Sequence, residues 1–370
     1  MNADQLGDRF DFIDQFRGAA IVFLILSVIV EPLASKMLVP SLYTHGFLFN
    51  DLGKMQWNWM QLENQFITWI DLGASIFMVI SASCLAISFP ASVKRIGTKR
   101  AMLRVLLRYA IFVLFQVLFD AITGHVPFTY RRILLGQQGF FTRLGIGTVV
   151  GSLALLLLKK PARRIWWAIV LLGIHGFLYL LPPLAPFHAN SSPAELASIT
   201  WAGDGTFFDY YAIPFEALSF AALSIIGTCL WDWLNMETPF NSFKKYHVPV
   251  GIYSWLVSFV VSWFIPFESD DLVVSQTLLA VGMACFLFVF FFCMERVIHF
   301  KVPLLSAFGK NGLLIYMSSV IILVMLVQLG IYDKITSEDA WLGMILVISV
   351  FAALAGLATL LDKRKQYLHI

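Results

Sequence analysis

Apolar runs of roughly 20 residues, the length needed to cross a hydrocarbon core, recur along nearly the whole chain, separated by polar connections of which those rich in Lys and Arg are mostly short. The pattern predicts ten helices, near 17–35, 67–89, 103–123, 143–158, 164–182, 211–234, 248–265, 272–294, 311–330 and 340–361. An even number of spans returns both termini to one side. Little sequence is left for a soluble domain, so residues 1–370 are expected to form one all-α integral membrane bundle.

Composition strengthens that reading. The chain is 59% hydrophobic and 13% charged, with a mean hydropathy of +0.78. The first apolar run follows an acidic segment (Asp4, Asp8, Asp11, Asp14) and lacks a small-residue cleavage site, so it is expected to be a transmembrane helix, not a cleaved signal peptide. Cys84, Cys229, Cys285 and Cys293 all lie in apolar runs, where cysteine acts as a small packing residue; neither disulfides nor a metal site is expected. The net charge of +3 gives no reason to expect a nucleic-acid partner.

The distribution of charge says more than its sum. Of 26 Lys and Arg, 20 fall on one side of the predicted bundle, including the Lys94–Arg108 group, Lys159–Arg164, and Lys363–Lys365. By the positive-inside bias that side is cytoplasmic, and both termini lie there. The opposite side carries the long connections 36–66, 124–142 and 183–210, with His45, Glu63, His125, His188, Asp204 and Asp209, and it is the expected working face. Asn190-Ser191-Ser192 matches a glycosylation sequon, meaningful only in a eukaryotic secretory membrane.

Ionisable residues at or inside a span cost about 2.5–3.5 kcal/mol on insertion scales, so each needs a partner or a watery cavity. Asp14 and Arg17 are one helical turn apart and can pair, either anchoring the first helix or lining a site; Gly18, Ala19 and Ala20 then allow a neighbouring helix to approach. Asp71, in "FITWIDLGASIFMVISASC", opens the second span, as a helix cap or as a functional acid, and Arg143, in "FFTRLGIGTVVGS", is its expected opposite charge. Arg131 and Arg132 stand against the charge trend, as headgroup contacts or as forks for an anionic group. No catalytic triad, P-loop, dinucleotide-binding turn or paired metal-ligand helix is present in the sequence. Of the scattered histidines, an external one would have to act as the general base of a transferase.

Five passages, taken in order, resemble one family. "FDFIDQFRGAAIVFLIL" resembles the Leu-Asp-x-x-Arg-Gly opening of the heparan-alpha-glucosaminide N-acetyltransferase family and its bacterial relatives, which are transmembrane acyltransferases. "FITWIDLGASIFMVISASCLAIS" resembles that family's second span and "FFTRLGIGTVVGSLALL" its fourth. "FFDYYAIPFEALSFAALSIIGTCLWDWL" and "LLSAFGKNGLLIYMSS" are similar to its later helices. The resemblance implies a bundle that takes an acyl group from cytosolic acyl-CoA and delivers it to a sugar amine or hydroxyl across the membrane. It carries over to Asp14 and Arg17, bordering the acyl-CoA entrance; to Asp71 and Arg143; and to Asn311 and Tyr316, as donors to substrate or thioester. The chain departs from the family at the acetyl-accepting histidine, whose place falls near Gln61; glutamine is neither base nor acyl carrier, so His45 or Glu63 is the expected replacement, beside Asp71. Arg131 joins Arg143 as a candidate anion binder.

Three functions follow from these residues. The first is an acyltransferase of altered mechanism in a bacterial inner membrane, among membrane lipids and with a glycan or lipid-linked acceptor. The second is an inactive family member serving as a membrane subunit, in a homo-oligomer or larger complex, which loss of the histidine favours. The third is a secondary transporter, ranked last because the sequence displays no broken helices in matching halves.

Overall fold

The computed structural model describes residues 11–37, 72–123, 140–180, 215–265, 273–330 and 340–367. Among these the chain is almost wholly helical and contains no strand. The helices are α1 (Asp11–Met37), α2 (Gly73–Ile96), α3 (Thr98–Thr123), α4 (Phe140–Leu157), α5 (Pro161–Leu180), α6 (Phe215–Met236), α7 (Pro239–Ser242), α8 (Val248–Ser262), α9 (Val274–Arg296), α10 (Pro303–Lys310), α11 (Gly312–Gln328) and α12 (Ala340–Lys363). A π turn, Phe243–His247, joins α7 to α8 without a break.

A helix stands at each of the ten predicted places. Several run further than the apolar pattern suggested: α2 reaches Ile96, beyond Lys94 and Arg95, and α3 begins at Thr98 among basic residues. Hydropathy marks the part that lipid would solvate, whereas backbone hydrogen bonding carries the helix on past it. Only Gly97 separates α2 from α3. Its φ of +80° is a conformation that favours glycine, and its N–H caps α2 by donating to the Val93 carbonyl.

Six helices among the described residues are long and apolar enough to cross a membrane: α2, α3, α4, α6, α9 and α12. A seventh crossing is made if α10 and α11 count as one span, bent by 86° at Asn311. The protein is thus a multi-pass helical membrane protein. Its outward faces agree. Leu103, Leu107 and Leu114 of α3, Trp166 and Trp167 of α5, and Ile345 and Ile348 of α12 are all exposed, a surface that suits lipid and not water.

Helix α6 is the axis of the bundle. Its apolar window is 89% buried, against 22% for α3 and 17% for α12, so α6 is packed all round while those two sit at the periphery. It meets α2, α4, α5 and α9. Small residues let the backbones close in, as in membrane helix packing generally. A Cβ at Gly227 would collide with the Val79 carbonyl of α2, and Ser83 Oγ donates to the Gly227 carbonyl at 2.8 Å. On the far side of α6 the buried Arg164 of α5 donates to Thr228 Oγ1 at 2.9 Å and to Asp232, stapling α5 to it.

Candidate functional site

The site begins with how α10 is laid against α1. Lys301 Nζ donates to Asp11 at 2.6 Å, and the Val302 N–H donates to Gln15 Oε1 at 2.8 Å, so both residues leading into α10 are pinned to the first turns of α1. Pro303 then starts α10, where its missing N–H costs nothing. Two glycines set the spacing. A Cβ at Gly18 would strike the Leu305 carbonyl, and one at Gly309 would strike the Asp14 carbonyl, so the two helices touch backbone to backbone. The close approach expected at Gly18 is therefore made, and α10 is what approaches.

At Asn311 the chain turns by 86° into α11. The turn, α1 and the inner faces of α2, α3, α4 and α6 enclose a cavity of about 200 Å3, far more than one water molecule requires. Arg17, Arg108, Lys310 and Asn311 supply its cationic and amide groups; Ser81, Ser88, Thr148 and Ser224 supply hydroxyls; Phe77, Met78, Leu85 and Phe112 are among its apolar walls.

The polar groups fall into two kinds. Lys310 Nζ donates to Asp362 Oδ1 of α12 at 3.0 Å, and Tyr367 Oη donates to the same oxygen at 3.0 Å. Thr148 Oγ1 donates back to the Leu144 carbonyl at 2.8 Å. These are occupied. Arg17 reaches Asp14 only at 3.9 Å, too far for a hydrogen bond, and its buried Nε has no acceptor among the described residues. The Ser81 and Ser224 hydroxyls are also buried without a partner, and Arg108 makes no ion pair among the described residues. Buried polar atoms are rarely left unmatched in a native protein, and here three of them line one cavity.

The predicted site residues divide accordingly. Arg17 and Asn311, almost three hundred positions apart, meet at the cavity, with the buried Asp14 behind Arg17. Arg143 lies elsewhere: its guanidinium sits over the Phe220 ring, 5.8 Å from the centroid, and it is not among the lining residues. Tyr316 is buried among Phe140 and Phe141, at centroid distances of 5.1 and 5.9 Å, and is not among the residues lining the cavity. His45, Glu63, Asp71, Arg131 and Gln61 lie outside the described residues, so the expected Asp71–Arg143 pair does too. Arg108, Lys310, Ser81 and Ser224 were missed as site residues. None carried a distinguishing signal: Arg108 stands in the sequence as one more basic residue near the start of the helix expected over 103–123. Among the described residues no cluster of His, Cys, Asp or Glu could hold a metal ion.

These features define a class: a multi-pass helical membrane protein with a cationic, hydroxyl-lined cavity beside a broken helix. In comparisons with known proteins, no family model matches the chain and no curated protein matches it.

Proposed function

We propose that the protein is a transmembrane acyltransferase of the kind its motifs resemble, with ten spans, both termini cytoplasmic, in a bacterial inner membrane. One observation carries the reading: Arg17 of "DQFRG" and Asn311 of "GKNGLLIY", drawn from opposite ends of the chain, line the same cavity. In this reading the cavity is the cytoplasmic entrance for acyl-CoA. Asp14 orients Arg17, and Asn311 donates a hydrogen bond to the entering acyl-CoA, whose thioester end extends on toward the far side, where the acceptor attacks it and the CoA thiol leaves. Tyr316 supports the helix that presents Asn311, and Arg143 orients α4 through Phe220. On the far side His45 or Glu63, near Asp71, takes the proton from a glycan or lipid-linked acceptor, with Arg131 holding an anionic group.

The test is transfer of a labelled acyl group from acyl-CoA to a panel of glycan and lipid acceptors by the purified protein in nanodiscs. Transfer that falls at least tenfold in Asn311→Ala and in either His45→Gln or Glu63→Gln supports the assignment. Absence of both acyl-CoA binding and transfer overturns it.

The break at Asn311 favours a second reading, a secondary transporter, because an interrupted helix bordering a polar cavity is a common device of such proteins. Ion-driven uptake of an anion into proteoliposomes, in place of transfer, would select it.

A further inference from the structure

We propose that the cavity among α1, α2, α3 and the α10–α11 break is a binding site for a phosphate group, with Arg108 as its principal anchor. The assignment shares its cavity with the acyl-transfer reading, but it needs no transfer and stands or falls on binding alone.

The argument starts from what Arg108 costs. Arg100, Arg104 and Arg108 follow one another at four-residue spacing, so they share a stripe of α3 in which like charges repel. None of the three has an acidic partner among the described residues. Arg100 and Arg104 are exposed near the basic end of the helix, and headgroup contact accounts for them. That account does not extend to Arg108. Ten residues into α3 its side chain has advanced about 15 Å along the axis, is only partly exposed, and turns to the cavity instead of the surface. A charge placed there, with no countercharge among the described residues, points to a ligand as the source of one.

The other donors fit that ligand. Lys310 and Arg17 each have a carboxylate behind them, Asp362 at 3.0 Å and Asp14 at 3.9 Å, so Arg108 supplies the uncompensated positive charge. Among the described residues Arg17 Nε and the Ser81 and Ser224 hydroxyls are buried donors without acceptors, and their side chains line the same space from three different helices. Donors converging from several directions, with guanidinium forks among them, suit a tetrahedral oxyanion better than a planar carboxylate. The adjoining apolar wall of Phe77, Met78, Leu85 and Phe112 would receive the substituent on the phosphate ester. That substituent can belong to a soluble phosphate compound or to a lipid, and the phosphate chemistry is common to both.

The experiment uses the full chain in phosphatidylcholine nanodiscs and measures thermal stabilisation and calorimetric binding. One arm titrates inorganic phosphate and pyrophosphate, with sulfate and acetate at matched ionic strength as controls. The other arm replaces a tenth of the lipid with phosphatidic acid. Saturable binding in either arm, weakened at least tenfold by Arg108→Gln and less than twofold by Arg100→Gln, supports the site, and the responding arm names the source. Arg108→Lys keeps the charge without the fork and should fall between, which guards against a Gln variant that fails to fold. Lack of saturable binding in both arms, an equal response to acetate, or binding indifferent to Arg108→Gln overturns the proposal. Acyl transfer that persists after any of these results would leave the functional reading intact, and binding without transfer would do the reverse.

Discussion

Two arginines taken out of water, Arg164 and Arg108, are treated in opposite ways. Arg164 is 1% exposed at the start of α5, and both its terminal nitrogens are used, one by Thr228 and one by Asp232 of α6. Its charge is matched within the fold, so it holds helices together. Arg108 and Arg17 stand at a cavity with donors unspent. Neither burial nor a spare donor alone marks a functional charge, since the Nε of Arg164 also lacks an acceptor among the described residues; what distinguishes the second pair is the cavity beside it, which leaves room for something else.

The largest test of that contrast is at the staple. Asp232→Ala leaves the Arg164 guanidinium buried with its countercharge gone, and such removals cost about 3–5 kcal/mol. A strongly lowered unfolding midpoint in detergent is expected, with most of the loss recovered when Arg164→Met is added, because the double change removes both charges. Arg108→Gln removes a charge the fold has not paired, so its midpoint should stay near that of the parent. Equal losses at the two sites would show that Arg108 is a structural charge after all.

Next in size is the contact that builds the cavity. Gly309→Ala would press a methyl group against the Asp14 backbone carbonyl, which cannot swing aside as a side-chain end could. Overpacking of this kind costs typically about 1–3 kcal/mol. It should also move α10 from α1 and carry Asn311 away from Arg17, so the variant should lose affinity for the cavity ligand along with stability. Alanine at Gly356, whose added Cβ meets nothing within 4 Å, is the control expected to do neither.

These comparisons also show what a single sequence reveals. Long apolar runs located a helix at all ten predicted places because helical hydropathy is a local property. The eight-residue α10 was missed for the same reason: it is too short to register as a crossing, and its role depends on lying against α1. Arg17 and Asn311 could be singled out because each stands in a recognisable run, but their meeting could not. Arg108 was visible only as one more basic residue on the cytoplasmic side, since nothing local states which helices will face it. Lys310 was hidden likewise, its partner Asp362 lying on another helix. Charge next to an apolar run is readable; the cavity it borders is a product of packing.

The smallest effect expected is at Lys301 and Asp11, an ion pair outside the bundle core. Its nitrogen and oxygen are 2.6 Å apart, yet the side chains are 55% and 31% exposed. Exposed pairs contribute about 0–1 kcal/mol, so Lys301→Ala should barely move the midpoint at neutral pH. The sign of its pH dependence is nevertheless fixed. The Asp11 hydrogen bond and charge hold the Lys301 ammonium above its ordinary value of 10.5. A raised value means that the small stabilisation is fully present below that ordinary value and is lost as pH climbs through the higher folded one. The parent and Lys301→Ala midpoints should therefore run parallel from pH 6 to about 9 and converge only in alkali. If they stayed parallel in alkali instead, the Lys301–Asp11 pair would contribute nothing measurable, and the pinning of α10 to α1 would rest on Gln15 and the two glycine contacts.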